Sequence, residues 1–377
     1  FEIHCFTAVG LTGVPGDEIE SASAADDGGV RLHGSGVFPP RSPVDGGVAR
    51  RIYSVKVTRK AVDMQKISHA LVTGGAGFIG SHLVDALVNR GSRVTVLDNL
   101  STGHRRNIAH HVNRIAFVEG DIREAEIVDR VTRGCDVVFH QAALVSVTQS
   151  VQDPSHSCAV NDLGTVRVLD AARRHGVRRV VMASSSAVYG DDPQLPKTEA
   201  MKPRPLSPYA VQKLTGEYYA SAFAGLYGLE TACLRYFNVF GPRQDPSSPY
   251  SGVISIFMTK AKTGQPPTIY GDGSQSRDFV YVEDVVDANL LAATHPSAPD
   301  RVFNVGTGAA IRILDLWKLI GELSGVGIDP AFAPPRTGDI HASVADVSEI
   351  ERTLGYRPRI ELRKGLVDTL AWYRSEI

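Results

Sequence analysis

A chain of 377 residues with 40 basic and 41 acidic side chains has a formal net charge of −1, which leaves no whole-chain electrostatic footprint for nucleic acid or an anionic membrane. No apolar run approaches membrane-spanning length. The four cysteines, Cys5, Cys135, Cys158 and Cys233, are scattered without a CxxC pair, which argues against a disulfide framework or a zinc ribbon and suits a reducing cytoplasm.

The length can hold two domains, or one large domain with an appendage. Residues 1–63 are rich in Gly, Pro, Ser and Asp and lack hydrophobic periodicity; they are expected to be disordered. A further expectation is that this segment lies upstream of a native start at Met64, which mass spectrometry of the native protein would test.

From residue 64 the pattern changes. A buried strand, His69–Thr73, runs into Gly74-Gly75-Ala76-Gly77-Phe78-Ile79-Gly80 and then a helix from Ser81 to Arg90. Strand, glycine turn and helix together form a dinucleotide site. Gly74, Gly77 and Gly80 permit a tight turn, close approach of the backbone to a pyrophosphate, and packing of helix on strand, and the N–H groups at the helix start, at Phe78 and Ile79, face the phosphates. A second strand, Val94–Leu97, ends in Asp98, eighteen residues past Gly80. A carboxylate there can hold the adenosine ribose hydroxyls and would repel a 2′-phosphate, which favours NAD over NADP.

The alternation continues with a strand over Ile115–Glu119 and Gly120-Asp121-Ile122 at its tip, where adenine would lie. A helix over 124–132 and a strand over 137–140 follow, the latter with Gln141-Ala142-Ala143 at its end. A helix is expected over 154–175, carrying Asn161, and a fifth strand over 180–183. This spacing predicts a parallel, doubly wound α/β sheet. The basic cluster Arg173, Arg174, His175, Arg178 and Arg179 reads as a solvated helix end and loop.

The fifth strand ends in Ser184-Ser185-Ser186-Ala187-Val188-Tyr189-Gly190. Ligands of open α/β sheets bind beyond the carboxyl ends of the strands, so these hydroxyls are expected to face the same crevice as the next segment, Ser207-Pro208-Tyr209-Ala210-Val211-Gln212-Lys213. Ser207 can cap a helix whose first residue is Pro208, and Tyr209 and Lys213, four apart, then share one face. An ammonium beside a phenol favours phenolate and would bring its pKa toward the working range of a base. Beyond a further strand over 229–236 the nucleotide-binding pattern ends. Residues 242–252 read as a loop able to close over a ligand, 253–262 as a helix and 270–273 as a turn.

These segments resemble the extended short-chain dehydrogenase/reductases and, within them, the UDP-hexose 4-epimerases, over roughly residues 66–375. The likeness is carried by Thr73–Gly80, Asp98-Asn99-Leu100, Gly120-Asp121-Ile122, Ser185–Gly190, Ser207-Pro208-Tyr209 with Lys213, Arg235-Tyr236-Phe237-Asn238-Val239, Gly273–Asp278 and Arg336-Thr337-Gly338-Asp339. The resemblance implies a Rossmann domain, mainly residues 64–240, that binds NAD. A smaller α/β nucleotide-sugar domain follows, mainly residues 241–377, with some exchange of chain between the two.

It further implies Tyr209 as base and Lys213 as the residue that lowers its pKa and holds the nicotinamide ribose. Ser185 would sit at the sugar 4-hydroxyl, with Ser186 able to share that task. Asn99, Ser101, Gly103, Asp121, Ile122, Gln141, Ala142, Ala143, Asn161 and Tyr236 would lie against the cofactor, with the glycine turn and Asp98. Ser146, Asn238, Val253, Tyr270, Arg277, Arg336 and Asp339 would lie against a UDP-sugar, the two arginines gripping its diphosphate. No metal is called for, and a homodimer packed through the helices carrying Asn161 and Tyr209 is implied.

Related dehydratases usually carry an acid just after the strand-five hydroxyl, where this chain has Ser186 and Ala187; that favours epimerisation over water loss. Ser343 matches the family position beside the sugar 2-substituent, and its small size leaves room for an acetamido group. The expected substrates are therefore UDP-N-acetylglucosamine and UDP-N-acetylgalactosamine, with UDP-glucose and UDP-galactose as further candidates. The alternatives are a UDP-glucuronate 4-epimerase, another nucleotide-sugar epimerase or dehydratase, and a non-catalytic NAD sensor on the same fold.

Overall fold

The computed structural model describes residues 64–245, 252–335 and 340–376. The segment expected to be disordered, and Arg336 and Asp339, lie outside the described residues.

The first half alternates as its apolar runs demand. In order it forms β1 (His69–Thr73), α1 (Phe78–Asn89), β2 (Arg93–Asp98), β3 (Ile115–Glu119), α2 (Ala125–Thr132), β4 (Val137–His140), α3 (Val147–Gln152), α4 (Pro154–Cys158), α5 (Gly164–Arg174), β5 (Arg179–Ser185), α6 (Pro208–Tyr227) and β6 (Glu230–Tyr236). After it come β7 (Asn238–Phe240), α7 (Val253–Thr263), β8 (Thr268–Tyr270), β9 (Ser276–Arg277), β10 (Phe279–Tyr281), α8 (Val282–Thr294) and β11 (Arg301–Val305). The chain ends with β12 (Ile311–Arg312), α9 (Ile313–Ser324), β13 (Ala331–Ala333), β14 (Ala342–Ser343), α10 (Ser348–Leu354) and α11 (Leu362–Glu376).

Seven of the strands make one sheet in the order β11-β6-β5-β4-β1-β2-β3, and each neighbouring pair is parallel. This is the expected doubly wound Rossmann architecture. Strands covered on both faces read as continuous apolar runs, and β1 and β4 are buried along their whole length. On one face Leu83, Val84 and Leu87 of α1 and Val285 and Leu290 of α8 share a core with Val72, Val96 and Phe303. On the other, Val128 of α2, Val168 and Leu169 of α5 and Phe223 of α6 pack with Leu71, Val138 and Val180. A third cluster, including Phe240, Phe257, Trp317, Tyr281 and Tyr373, forms the core of the later elements.

Three local outcomes differ from the sequence reading. Helix α1 begins at Phe78 rather than Ser81, so the helix starts inside the glycine motif and its first turn faces the crevice. The helix expected over 154–175 is interrupted by a π-turn over Ala159–Leu163. There Asn161 Oδ1 accepts from the Leu144 N–H at 2.8 Å and its Nδ2 donates to the Leu144 carbonyl and to Gln212, side-chain bonds that a propensity reading cannot see. Finally, α3 was not anticipated. It is six residues long, too short for periodicity to register.

Candidate active site

Where β1 meets α1, the backbone is arranged for a phosphate. Gly74 has φ of 70°, and a Cβ there would lie 2.7 Å from the Ala142 nitrogen; one on Gly80 would lie 2.1 Å from the Gly74 carbonyl oxygen. No side chain caps the start of α1 at Gly77 and no acid lies in its first turn, so its N–H groups and dipole are open to an anion. At the end of β2, Asp98 Oδ2 accepts from the Ala76 N–H at 2.9 Å and Oδ1 from the Leu100 N–H at 2.8 Å. Burial raises this carboxyl above its ordinary value, offset by those N–H groups and that of Gly77. A Cβ on Gly103 would lie 2.9 Å from both oxygens, so glycine leaves the carboxylate open on that side. The cradle and its carboxylate fit a dinucleotide.

Other residues expected at the cofactor also have partners within the protein. The Asp121 carboxylate is held by Arg123 Nε and Nη2, both at 2.9 Å, and by Asn99 Nδ2 at 2.7 Å; the guanidinium holds it down at about 2. Asn99 also accepts from the Ser101 N–H, so these side chains order the loop after β2. Ile122 is buried and fills the space where a Cβ on Gly164 would go. Asn161 uses its amide on Leu144 and Gln212, as described. Gln141 and Tyr236 bond each other and Asn289 at 3.0–3.3 Å. The Asn161, Gln141 and Tyr236 side chains thus hold one another's surroundings at the tips of β4 and β6, beside Ala142 and Ala143.

Beyond β5 the expected constellation assembles. Ser207 caps α6, its oxygen accepting from the Ala210 N–H at 3.2 Å, with Pro208 in the first turn. Tyr209 and Lys213 consequently face the tip of β5, with the lysine Nζ 5.8 Å from the tyrosine ring centroid. Ser185 Oγ accepts from the Ala187 N–H at 3.2 Å, and Ser186 opens the short 3₁₀ turn that follows. Ser150 of α3, which sequence reasoning missed, accepts from the Tyr209 N–H at 3.1 Å.

Burial dominates the electrostatics of this group. Burial pushes the Tyr209 phenol above its ordinary value, and the Ser185 hydroxyl offsets only part of this. Lys213 is itself pulled down to about 8 by burial, and its Nζ donates to the Ala183 carbonyl at 2.8 Å. His140, missed earlier, lies beneath this group. It is buried between Thr73 and Thr165 hydroxyls at 2.8 and 3.0 Å and held down at about 3. Because the Thr165 hydroxyl donates to the Asn161 carbonyl, it must accept from His140, which fixes the neutral Nε2–H tautomer.

The later elements bring Arg277 and Ser343 side by side, paired in register between β9 and β14. Arg277 Nη1 donates to the Ser276 carbonyl at 2.9 Å, and Ser343 is 9% exposed. Asn238 Nδ2 donates to the Asp278 carbonyl at 3.0 Å. Ser146 caps α3 by accepting from the Gln149 N–H, and Val253 opens α7. Next to Tyr270, a cavity of about 830 Å³ is lined by Gly271, Asp272, Gln275, Phe332 and His341 among others. Away from the crevice, Asp85, His110 and His111 bring possible metal-ligand atoms within 4.8 Å of one another, but Arg243 holds the second Asp85 oxygen at 2.8 Å. The group reads as an ion-pair cluster.

A phosphate cradle and ribose-type carboxylate on one half of a parallel sheet, with a half-buried tyrosine and lysine at the switch to the other half, define an extended short-chain dehydrogenase/reductase. The model described as the NAD dependent epimerase/dehydratase family matches residues 70–306, and the chain belongs to that family. A UDP-glucose 4-epimerase of Mycolicibacterium smegmatis is 41% identical over 310 residues, covering 81% of this chain and 98% of the relative. A UDP-N-acetylglucosamine 4-epimerase from Methanobrevibacter ruminantium, solved with UDP-N-acetylmuramic acid, is 39% identical at a TM-score of 0.79, covering 83% of this chain and all of that one. The UDP-glucose 4-epimerase of Thermus thermophilus, solved with NAD, is 40% identical at a TM-score of 0.75, covering 82% of this chain and all of that one. The chain is an enzyme, and its cofactor is NAD.

Proposed function

We propose that the protein interconverts UDP-hexoses epimeric at C4, and that it accepts UDP-N-acetylglucosamine and UDP-N-acetylgalactosamine. The observation that carries this reading is the placement of Tyr209 and Lys213 on one face of α6 against the β5 tip, next to Ser185. Bound against the glycine turn and Asp98, NAD would supply the hydride acceptor and donor for C4 and a positive ring that favours phenolate. The residues of the chain do the rest. The Tyr209 phenolate removes the 4-hydroxyl proton, and the Ser185 hydroxyl orients that oxygen. The 4-keto sugar turns about its diphosphate link while Arg277 grips the phosphates, and Tyr209 returns the proton on the other face. The half-buried phenol is a weak base before the cofactor is present, so oxidation is coupled to loading of the crevice.

The acetylated substrate class is supported by Ser343, a small side chain one strand from Arg277. Incubation of the purified protein with UDP-N-acetylglucosamine and no added reductant, followed by NMR, tests the reading. The expected product is the galacto epimer at constant NAD. Turnover of UDP-glucose alone would remove the acetylated assignment, and absence of epimer from any UDP-sugar would remove the reading itself.

A further inference from the structure

Tyr209, Lys213 and Glu217 recur every four residues along α6, so the glutamate continues the catalytic face. It is buried with Arg235 of β6, each side chain 5% exposed. Arg235 donates to both Glu217 oxygens, at 2.9 and 2.7 Å, and Ser184 of β5 also donates to Glu217. Ser184 and Arg235 are paired in register across β5 and β6, as are Ser185 and Tyr236. Glu217 therefore fastens α6 to two strands one residue before Ser185, while Lys213 fastens it to the Ala183 carbonyl. The pair and the lysine share one locality. Glu217, Lys213, Cys233 and Ser184 line the same small void of about 10 Å³, and the Cys233 thiol senses Glu217, Arg235 and Lys213 together. On its far side the Arg235 guanidinium stacks on the Tyr189 ring at 4.8 Å.

We infer that Glu217 is a positioning residue for the epimerisation proposed above: paired with Arg235, it fixes α6 on the β5 tip and cancels a buried guanidinium charge that would otherwise act on Tyr209 and Lys213. Structural pairing alone needs no acid at this place, since apolar residues of similar volume can replace a buried ion pair at little cost. What the pair supplies is a set of bonds joining α6 to both β5 and β6 with no net charge left beneath the base. The titratable groups around the base and its ion pair are His140 from β4, Lys213 and Glu217 from α6, Cys233 and Arg235 from β6, Tyr189 after β5, and Glu199 from the segment before α6, which faces Arg235 and Tyr189. His140 is held neutral and Cys233 is pushed far above its ordinary value. Lys213 is thus the cation left to act on the phenol from within the protein.

The test is the pH profile of kcat for the full chain with UDP-N-acetylglucosamine and UDP-glucose, in wild type, Glu217→Gln and Arg235→Gln. With Glu217 neutral, Arg235 loses the carboxylate it is bonded to and keeps only the more distant Glu199, phenolate is favoured, and the acid limb moves down by roughly one pH unit. With Arg235 neutral the glutamate charge disfavours phenolate, and the limb moves up. The double variant, which leaves no unpaired charge, returns the limb to the wild-type position. Ser184→Ala, which removes one bond to Glu217 and leaves the fold intact, lowers kcat several-fold with KM unchanged. Limbs that coincide in all folded variants would overturn the inference, as would a Ser184→Ala effect confined to thermal stability. If wild type turns over neither sugar, the epimerase reading fails. The inference is then scored by ultraviolet difference titration of the phenol against Tyr209→Phe, in which the same opposite shifts support it and coincident titrations overturn it.

Discussion

Tyr209 is half-buried and raised above its ordinary value, a shift that costs stability only once pH passes that value. The nearby lysine, depressed to about 8, is instead held in a state that costs stability near neutrality. For Lys213 the sign follows from proton binding. Its folded value lies below the 10.5 of the unfolded chain, so between those values the unfolded state binds more protons and stability rises with pH. The penalty is complete below the folded value. Lys213→Met should therefore abolish turnover and yet stabilise the fold near neutral pH by roughly 1–2 kcal/mol, a gain limited because the side chain is only partly shielded from solvent. The gain should disappear as pH climbs past the unfolded value, and calorimetry at both ends of the window checks it. A less stable variant at neutral pH would contradict the burial argument. Ser343, 9% exposed beside Arg277, carries the substrate claim. Ser343→Tyr should cut kcat/KM on acetylated UDP-hexoses at least ~10-fold more than on plain ones, because overpacking penalises the larger ligand. Equal losses on both pairs would show that the position does not face the 2-substituent.

The glycine turn between β1 and α1 makes the strictest demand on sequence. Gly80→Ala sets a methyl 2.1 Å from a backbone oxygen that cannot move without moving Gly74, itself at φ of 70°. The expected outcome is NAD affinity at least ~10-fold weaker and a stability loss of roughly 1–3 kcal/mol, read by calorimetric titration and melting. Unchanged NAD affinity would place the dinucleotide elsewhere. This turn was legible because glycine spacing, strand and helix lie within one short stretch. So was the start of α6, since Ser207 and Pro208 specify it locally. The π-turn at Ala159–Leu163 was not legible, because it depends on Asn161 reaching Leu144 and Gln212. Glu217 was overlooked for a similar reason. A lone acid on a helix face usually meets water, and only the β5–β6 pairing brings Arg235 and Ser184 to it. Spacing reports that the lysine is near the phenol, but not that its Nζ also donates to the Ala183 carbonyl. The Tyr–Lys spacing was nonetheless a usable signal, and its continuation to Glu217 would have extended it.

Across the described residues, β11 returns from the later part of the chain to the edge of the main sheet beside β6, so the sheet that carries Asp98 and Ser185 depends on residues on both sides of the crevice. No helix among the described residues is long and apolar enough to cross a membrane. An apolar outer face remains on α6, where Val211, Tyr218, Tyr219 and Leu226 are exposed, Tyr218 by 63% and Leu226 by 73%. At helical spacing these residues fall within an arc of about 100°, and α3, packed against α6, adds exposed Val147 and Val151. We expect a second copy of the chain on this face. Light scattering after size exclusion should give a dimer for wild type and a monomer for the Tyr218→Glu, Leu226→Glu pair. A monomeric wild type would leave the face to another partner. The central claim is that one half-buried phenol serves both faces of a sugar whose C4 hydride leaves and returns within the crevice. The most direct measurement follows a deuterium at C4 of UDP-N-acetylglucosamine through turnover in ordinary water by wild type and Tyr209→Phe. The label should remain at C4 in the galacto epimer, and the variant should be slower by ~10²–10⁴-fold. Loss of the label to solvent, or a variant as fast as wild type, would contradict the account.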